Sequence, residues 1–176
     1  MPPVLAPALP RADTRLFSQC LSRTELTGLV RAIAADPHQW HSRLQLPDGE
    51  DRWWALLAAS AHVDVWLLSW LPGQTTDLHD HGPSAASLTV VRGELNEIRV
   101  GPRARATTYR RRAGSVTWLA PGVIHDVAGA GKEPAVSIHA YSPPLREMNY
   151  YAPDAHDRLQ IARTISTHEP EPEPAR

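Results

Sequence analysis

The residue order predicts a mainly β fold, an antiparallel barrel or sandwich, with a small helical segment ahead of it. Two patterns carry that expectation. From Arg52 onward the chain breaks into short runs rich in Val, Ile, Thr, Trp and Tyr, punctuated by Gly and Pro, as strands joined by tight turns are. Ahead of Arg52 the apolar period is helical instead: Leu26, Leu29, Val30 and Ile33 recur at i, i+3, i+4 and i+7.

Taken in order, residues 1–12 are Pro-rich and expected to form a loose, extended tail. Thr24 is placed to cap the helix, and Asp36-Pro37 ends it. A second short helical piece is expected over residues 39–44, before a turn at Pro47-Asp48-Gly49. Strands are expected over residues 53–57, 63–71, 75–81, 86–93, 94–100, 107–112, 115–119, 125–128 and 135–141. Residues 63–71, β-branched, Trp-rich and stopped by Pro72-Gly73, read most clearly as a strand. After Pro143-Pro144 the pattern is irregular, with a short helix expected over residues 154–165. The end, H-E-P-E-P-E-P-A-R, is too polar to bury and is expected to be disordered. The expected organisation is thus a tail over 1–12, one domain over 13–166 and a Glu-Pro tail over 167–176.

Composition narrows the function. The 176 residues suffice for one domain with a substantial core. Basic and acidic residues nearly cancel, at 18 and 19, so no general nucleic-acid or membrane partner is implied. Arg110, Arg111 and Arg112 read as a solvated strand-edge device. Cys20 is the only cysteine, which excludes an internal disulfide and fits a reducing compartment. No apolar run reaches membrane-spanning length, and the first residues are too Pro-broken for the apolar core of a secretory signal. A cytoplasmic location is the resulting expectation, and no feature fixes an oligomeric state.

The chemistry centres on residues 73–93, G-Q-T-T-D-L-H-D-H-G-P-S-A-A-S-L-T-V-V-R-G. In an extended strand residues two apart share a face. His79 and His81 can therefore aim at one point while Asp80 looks the other way. Neutral imidazole is the commonest side-chain metal ligand, and His125 in P-G-V-I-H is the natural third donor. Alone, H-x-H describes equally well two strand histidines satisfied by hydrogen bonds. The flanking glycines, the β-rich surroundings and a third His after a Pro-Gly turn favour the metal site.

Gly73, His79-x-His81 and Gly93 resemble the first motif of the cupins, and Gly114 through Pro121-Gly122-Val123-Ile124-His125 resembles the second. The slot of the usual ligand Glu falls at Ala86. H-D-H-G-P-S, then V-V-R-G-E-L-N-E, then Ser137-Ile138-His139-Ala140-Tyr141-Ser142-Pro143-Pro144 look like the cysteine dioxygenase family of cupin thiol dioxygenases, over about residues 52–151. The resemblance implies a cupin-type double-stranded β-helix barrel. It implies Fe(II) held by His79, His81 and His125, with Ser137, His139 and Tyr141 forming a hydrogen-bond relay that ends in a phenol beside the metal. The implied substrates are a small thiol and O2, and the product is a sulfinic acid. L-cysteine is the first expectation; 3-mercaptopropionate or a non-catalytic metal- or ligand-binding cupin is the alternative. Some members cross-link a Cys to the site tyrosine, and here Ala86 excludes that bond. Cysteine-specific members grip the substrate carboxylate with an Arg, and Arg52 is the nearest guanidinium to that slot, where Trp53 or Leu56 falls.

Overall fold

The computed structural model describes residues 19–49, 51–101 and 105–170. Helix α1, Arg23–Ala35, is capped by Ser22 rather than by Thr24. The Ser22 hydroxyl accepts from the Glu25 N–H while the Glu25 carboxylate accepts from the Ser22 N–H at 2.8 Å. That reciprocal pair satisfies two donors at the helix start, which a cap at Thr24, two residues too far in, leaves open. Leu26, Val30 and Ile33 are buried, as their spacing predicts. The second helical piece is two 3-10 turns, Pro37–Gln39 and His41–Arg43.

Eleven strands follow among the described residues: β1 Trp53–Ala59, β2 Asp64–Trp70, β3 His79–Asp80, β4 Ala85–Arg92, β5 Glu94–Val100, β6 Ala106–Arg112, β7 Val116–Leu119, β8 His125–Ala130, β9 Ala135–Ser142, β10 Glu147–Pro153 and β11 Leu159–Ser166. They form two antiparallel sheets, ordered β1-β2-β9-β4-β7 and β11-β10-β3-β8-β5-β6. This is the expected mainly β barrel of jelly-roll type.

The five-stranded sheet is covered on both faces, which is why β2 and β9 are buried at every position. Trp66, Leu68 and Trp70 of β2 and Tyr141 of β9 point into the barrel. There they meet Leu88 of β4, Leu95 of β5, Val127 of β8 and Met148 of β10. The alternate residues Val65, Leu67, Val136, Ile138 and Ala140 face outward and pack under Leu26, Val30 and Ile33 of α1.

Three expectations change. The strand over 75–81 shrinks to His79–Asp80, with one isolated bridge between Thr75 and Ala128. The helix expected over 154–165 is instead strand β11, paired with β10. Its Leu-x-Ile-x-Arg-x-Ile alternation fits the period of two, and a neighbouring strand supplies the hydrogen bonds an isolated segment lacks. Thirdly, Thr167 and Pro170 are buried, so the start of the expected Glu-Pro tail packs on the barrel. The tail expected over 1–12, and residues 171–176 of the one expected over 167–176, lie outside the described residues.

Asp64 opens β2 only 4% exposed. Its Oδ2 accepts the Leu145 N–H at 3.2 Å, just past the cis Ser142–Pro143 bond. Burial pushes its carboxyl up from 3.8 to about 7, more than the Leu145 hydrogen bond offsets. The folded chain therefore keeps a proton that the unfolded chain releases above its lower pKa, so this group makes stability fall as pH rises through about 7. Asp64→Asn is expected to flatten that dependence. Urea denaturation of both proteins at about pH 5 and about pH 8 measures the two slopes, and equal slopes would refute the shift.

Candidate metal centre

Strand β3 is short but pinned on both sides. His79 lies opposite His125 of β8 on one side and opposite Tyr150 of β10 on the other. The residue between the two histidines does the fastening. Asp80 Oδ1 accepts from the Gly82 N–H at 2.8 Å and the Asn149 Nδ2 at 2.9 Å, and Oδ2 accepts from the Tyr151 hydroxyl at 2.6 Å. Period two thus sends Asp80 to the β10 side and His79 and His81 to the barrel interior, as the spacing predicts.

The three imidazoles converge. His79 Nε2 lies 3.2 Å from His81 Nε2, and His125 Nε2 lies 3.4 Å from the same atom. All three rings are buried. Burial, and then the charge of His125, hold His79 and His81 well below the ordinary imidazole value, so both are neutral. His79 Nδ1 is 2.9 Å from the Asp77 carbonyl. A carbonyl only accepts, so Nδ1 carries the proton and Nε2 presents its lone pair. Asp77 reaches this position at φ 62°, a left-handed conformation that a short Asp tolerates.

Ligands about 2.1 Å from one ion and adjacent to each other lie about 3.0–3.4 Å apart, so the observed separations fit three nitrogens around a single cation. Neutral nitrogen donors suit iron, zinc, copper or nickel. Among the described residues no carboxylate joins this cluster; Ala86, the slot of the usual ligand Glu, lies on β4 opposite Tyr141 and is 3% exposed.

Strand β9 brings a second set of polar groups to the same interior. Trp70 Nε1 donates to Ser137 Oγ at 2.9 Å; Ser137 Oγ lies 2.9 Å from His139 Nε2, and His139 Nδ1 lies 3.5 Å from the Tyr141 hydroxyl. The Tyr141 ring meets His81 edge-on, with centroids 4.9 Å apart. Burial holds His139 neutral, at about 3, and keeps the Tyr141 phenol protonated well above its ordinary value. A proton at one end of this chain is therefore tied to hydrogen-bond direction along it.

Leu68, Trp70, Thr76, Val127, His139, Tyr141 and Pro170 enclose a small cavity with the three histidines. Arg52 is half-buried and lies against one of these lining residues. Its guanidinium lies 4.9 Å from the Trp70 ring centroid, and Trp70 is stacked on His139. Burial lowers Arg52 to about 10, so it stays charged at neutral pH, and that charge acts on His79, His139 and Tyr141. Of the neighbouring slots, Trp53 packs on the α1 side and Leu56 in the barrel.

Sequence reasoning passed over four residues here. Trp70 anchors the Ser137 end of the chain. Tyr150 lies beside His79, with centroids 5.9 Å apart. Pro170 was hidden by the polar composition of its segment. Glu97, fully buried, lies 3.4 Å from His125 Nδ1; a carboxylate in phase with Leu95 on the inward face of β5 was the available signal. The arginine run also divides. Arg110 and Arg112 pair with Glu94 at the exposed edge, whereas Arg111 turns in to Glu97 and is not a solvated edge residue.

Over residues 14–154 the chain matches the cysteine dioxygenase type I family. Among solved structures it is similar to an uncharacterized conserved protein with a double-stranded β-helix domain from Klebsiella pneumoniae, at 17% identity and TM-score 0.52, over 69% of this chain and 87% of that one. An oxalate oxidase is similar at 15% identity and TM-score 0.54, over 66% of this chain and 63% of that one. The cupin domain of Schizosaccharomyces pombe Cnp3 is similar at 14% identity and TM-score 0.50, over 58% and 70%. At such identities the likeness is one of fold, and the fold is the cupin double-stranded β-helix.

Ser137→Ala strands the Trp70 N–H and His139 Nε2 inside the barrel. The expected cost is about 1–3 kcal/mol, measured by urea denaturation of the metal-free protein; a neutral result would mean that both groups find other partners.

Proposed function

The chain belongs to the cysteine dioxygenase type I family, a thiol dioxygenase family, and on that premise we propose that it converts L-cysteine to cysteine sulfinic acid at Fe(II) held by His79, His81 and His125. The observation that carries this reading is the meeting of three buried imidazoles with the Ser137-His139-Tyr141 chain at one pocket. The reaction adds both atoms of O2 to the thiol sulfur, RSH + O2 giving RSO2H. Bound there, iron would supply a redox-active cation that suits a soft thiolate and lowers the thiol pKa.

The side chains supply the rest. Three uncharged ligands leave the full charge of the cation in the pocket, where it favours a thiolate; a carboxylate at the Ala86 position would cancel part of it. Tyr141 stays protonated and holds a hydrogen bond towards the reacting atoms. His139 and Ser137 set the direction of that bond, and Trp70 fixes Ser137. Arg52, braced on Trp70, is the group for the substrate carboxylate. A carboxylate is common to cysteine and 3-mercaptopropionate, so Arg52 serves either thiol and the amino group distinguishes them. The cytoplasm, where thiols are kept reduced, suits both the substrate and the lone, exposed Cys20. Among the described residues no helix is long and apolar enough to cross a membrane, and neither a nucleic acid nor a lipid surface enters this chemistry.

Oxygen uptake by Fe(II)-loaded protein, with cysteine and with 3-mercaptopropionate, tests the reading: uptake with cysteine and a sulfinate product are expected, and no thiol-dependent uptake refutes it. Arg52→Ala is expected to lower kcat/KM for cysteine roughly 10- to 100-fold, mostly through KM, as loss of a charged hydrogen bond of about 1.5–3 kcal/mol requires. Unchanged kinetics would dismiss the clamp. Tyr141→Phe is expected to lower kcat about 100-fold with a smaller effect on KM; a change confined to KM would make Tyr141 a wall of the pocket.

A further inference from the structure

Behind His125, on the Nδ1 side of its ring, lies a charged group that the chemistry above does not use. Glu97 sits on β5 in phase with Leu95 and Arg99, and its side chain is 0% exposed. Arg99 Nε donates to Oε1 at 2.8 Å and Arg111 Nε donates to Oε2 at 2.8 Å. Oε1 also lies 3.4 Å from His125 Nδ1, at the outer limit of a hydrogen bond. That nitrogen is buried and makes no formed hydrogen bond among the described residues, and the Glu97 carboxylate is the charged group that faces it.

Packing alone does not call for a carboxylate here. Leu95 continues the same face with an apolar side chain, and burying a carboxylate is unfavourable until its partners offset the lost hydration. The two arginines do not require it either: at 25% and 18% exposure they reach solvent. What a carboxylate offers that a leucine does not is an acceptor for Nδ1–H. A neutral imidazole has one proton, and only with it on Nδ1 is Nε2 available to a cation.

We propose that Glu97 is a positioning residue of the metal centre: its buried carboxylate, held in place by Arg99 and Arg111, takes the Nδ1 proton of His125 as a hydrogen bond and so turns His125 Nε2 towards the cation shared with His79 and His81. His79 is held by a backbone carbonyl at Asp77 and His125 by this side chain, so two of the three rings are oriented by different devices. This inference rests on the metal-binding reading of the three histidines.

The test is anaerobic titration of the full-length, metal-free protein with Co(II) against a competing chelator, following the visible Co(II) bands. Glu97→Gln is expected to bind Co(II) about 10- to 100-fold more weakly with shifted bands, while Leu26→Ala, which destabilises the outer cluster under α1, stays within about threefold of wild type with unchanged bands. Wild-type affinity and bands in Glu97→Gln, or equal weakening in Leu26→Ala, would overturn the proposal and leave Glu97 a partner of the arginines alone. Should Glu97→Gln fail to fold, Glu97→Asp keeps the charge but shortens the reach, and is read the same way: weaker binding with shifted bands supports the proposal, wild-type behaviour overturns it. Wild-type protein that takes up no Co(II) overturns the functional reading along with this one, whereas tight wild-type binding with an unchanged Glu97→Gln constant overturns this one only.

Discussion

Three imidazole nitrogens separated by 3.2 and 3.4 Å in the middle of a barrel are the constraint to which the rest of this chain answers. Burial excludes charged rings, so the histidines at 79 and 81 are neutral and each carries a single proton. Nitrogen lone pairs brought to one point repel unless an electrophile joins them. Holding them there takes a backbone that does not yield, and the architecture supplies it. β3 is two residues long, yet it is bonded to β8 and β10 and fastened by three hydrogen bonds to the Asp80 carboxylate.

The five-stranded sheet does two jobs with one set of strands. On β9 the inward residues Ser137, His139 and Tyr141 form the polar chain beside the histidines, while the outward residues Val136, Ile138 and Ala140 are packed under α1. One strand thus serves the pocket with one face and the hydrophobic cluster under the helix with the other.

Several polar groups in the interior are tied to partners of known direction. Trp70 donates to Ser137, His79 to the Asp77 carbonyl, and two arginines to Glu97. Charge is distributed unevenly by this arrangement. A cation site without a ligand carboxylate among the described residues, an arginine against the Trp70 ring and a phenol that remains protonated make the pocket electropositive, as suits thiolate and carboxylate together.

How much of this was legible in advance follows the range of each interaction. Alternation of two and of 3.6 is local, so α1 and the strands from β4 to β9 were visible along the chain, and so was the shared face of His79 and His81. The period of two likewise put Ser137, His139 and Tyr141 on one side of β9, and the resemblance of their motif told which chemistry to expect. Where a neighbour's hydrogen bonds decide the conformation, local reading failed: β10 was missed and β11 was taken for a helix, because each is a strand only by virtue of its pairing. The cap moved from Thr24 to Ser22 because the reciprocal bond with Glu25 outweighs the later start. That His125 reaches the other two rings, that Arg52 lies over Trp70, that Glu97 backs His125 and that Pro170 lines the cavity all depend on which strands adjoin across the barrel. Periodicity along a chain specifies the face on which a side chain lies; the distance between two faces is set only when the sheets close on each other.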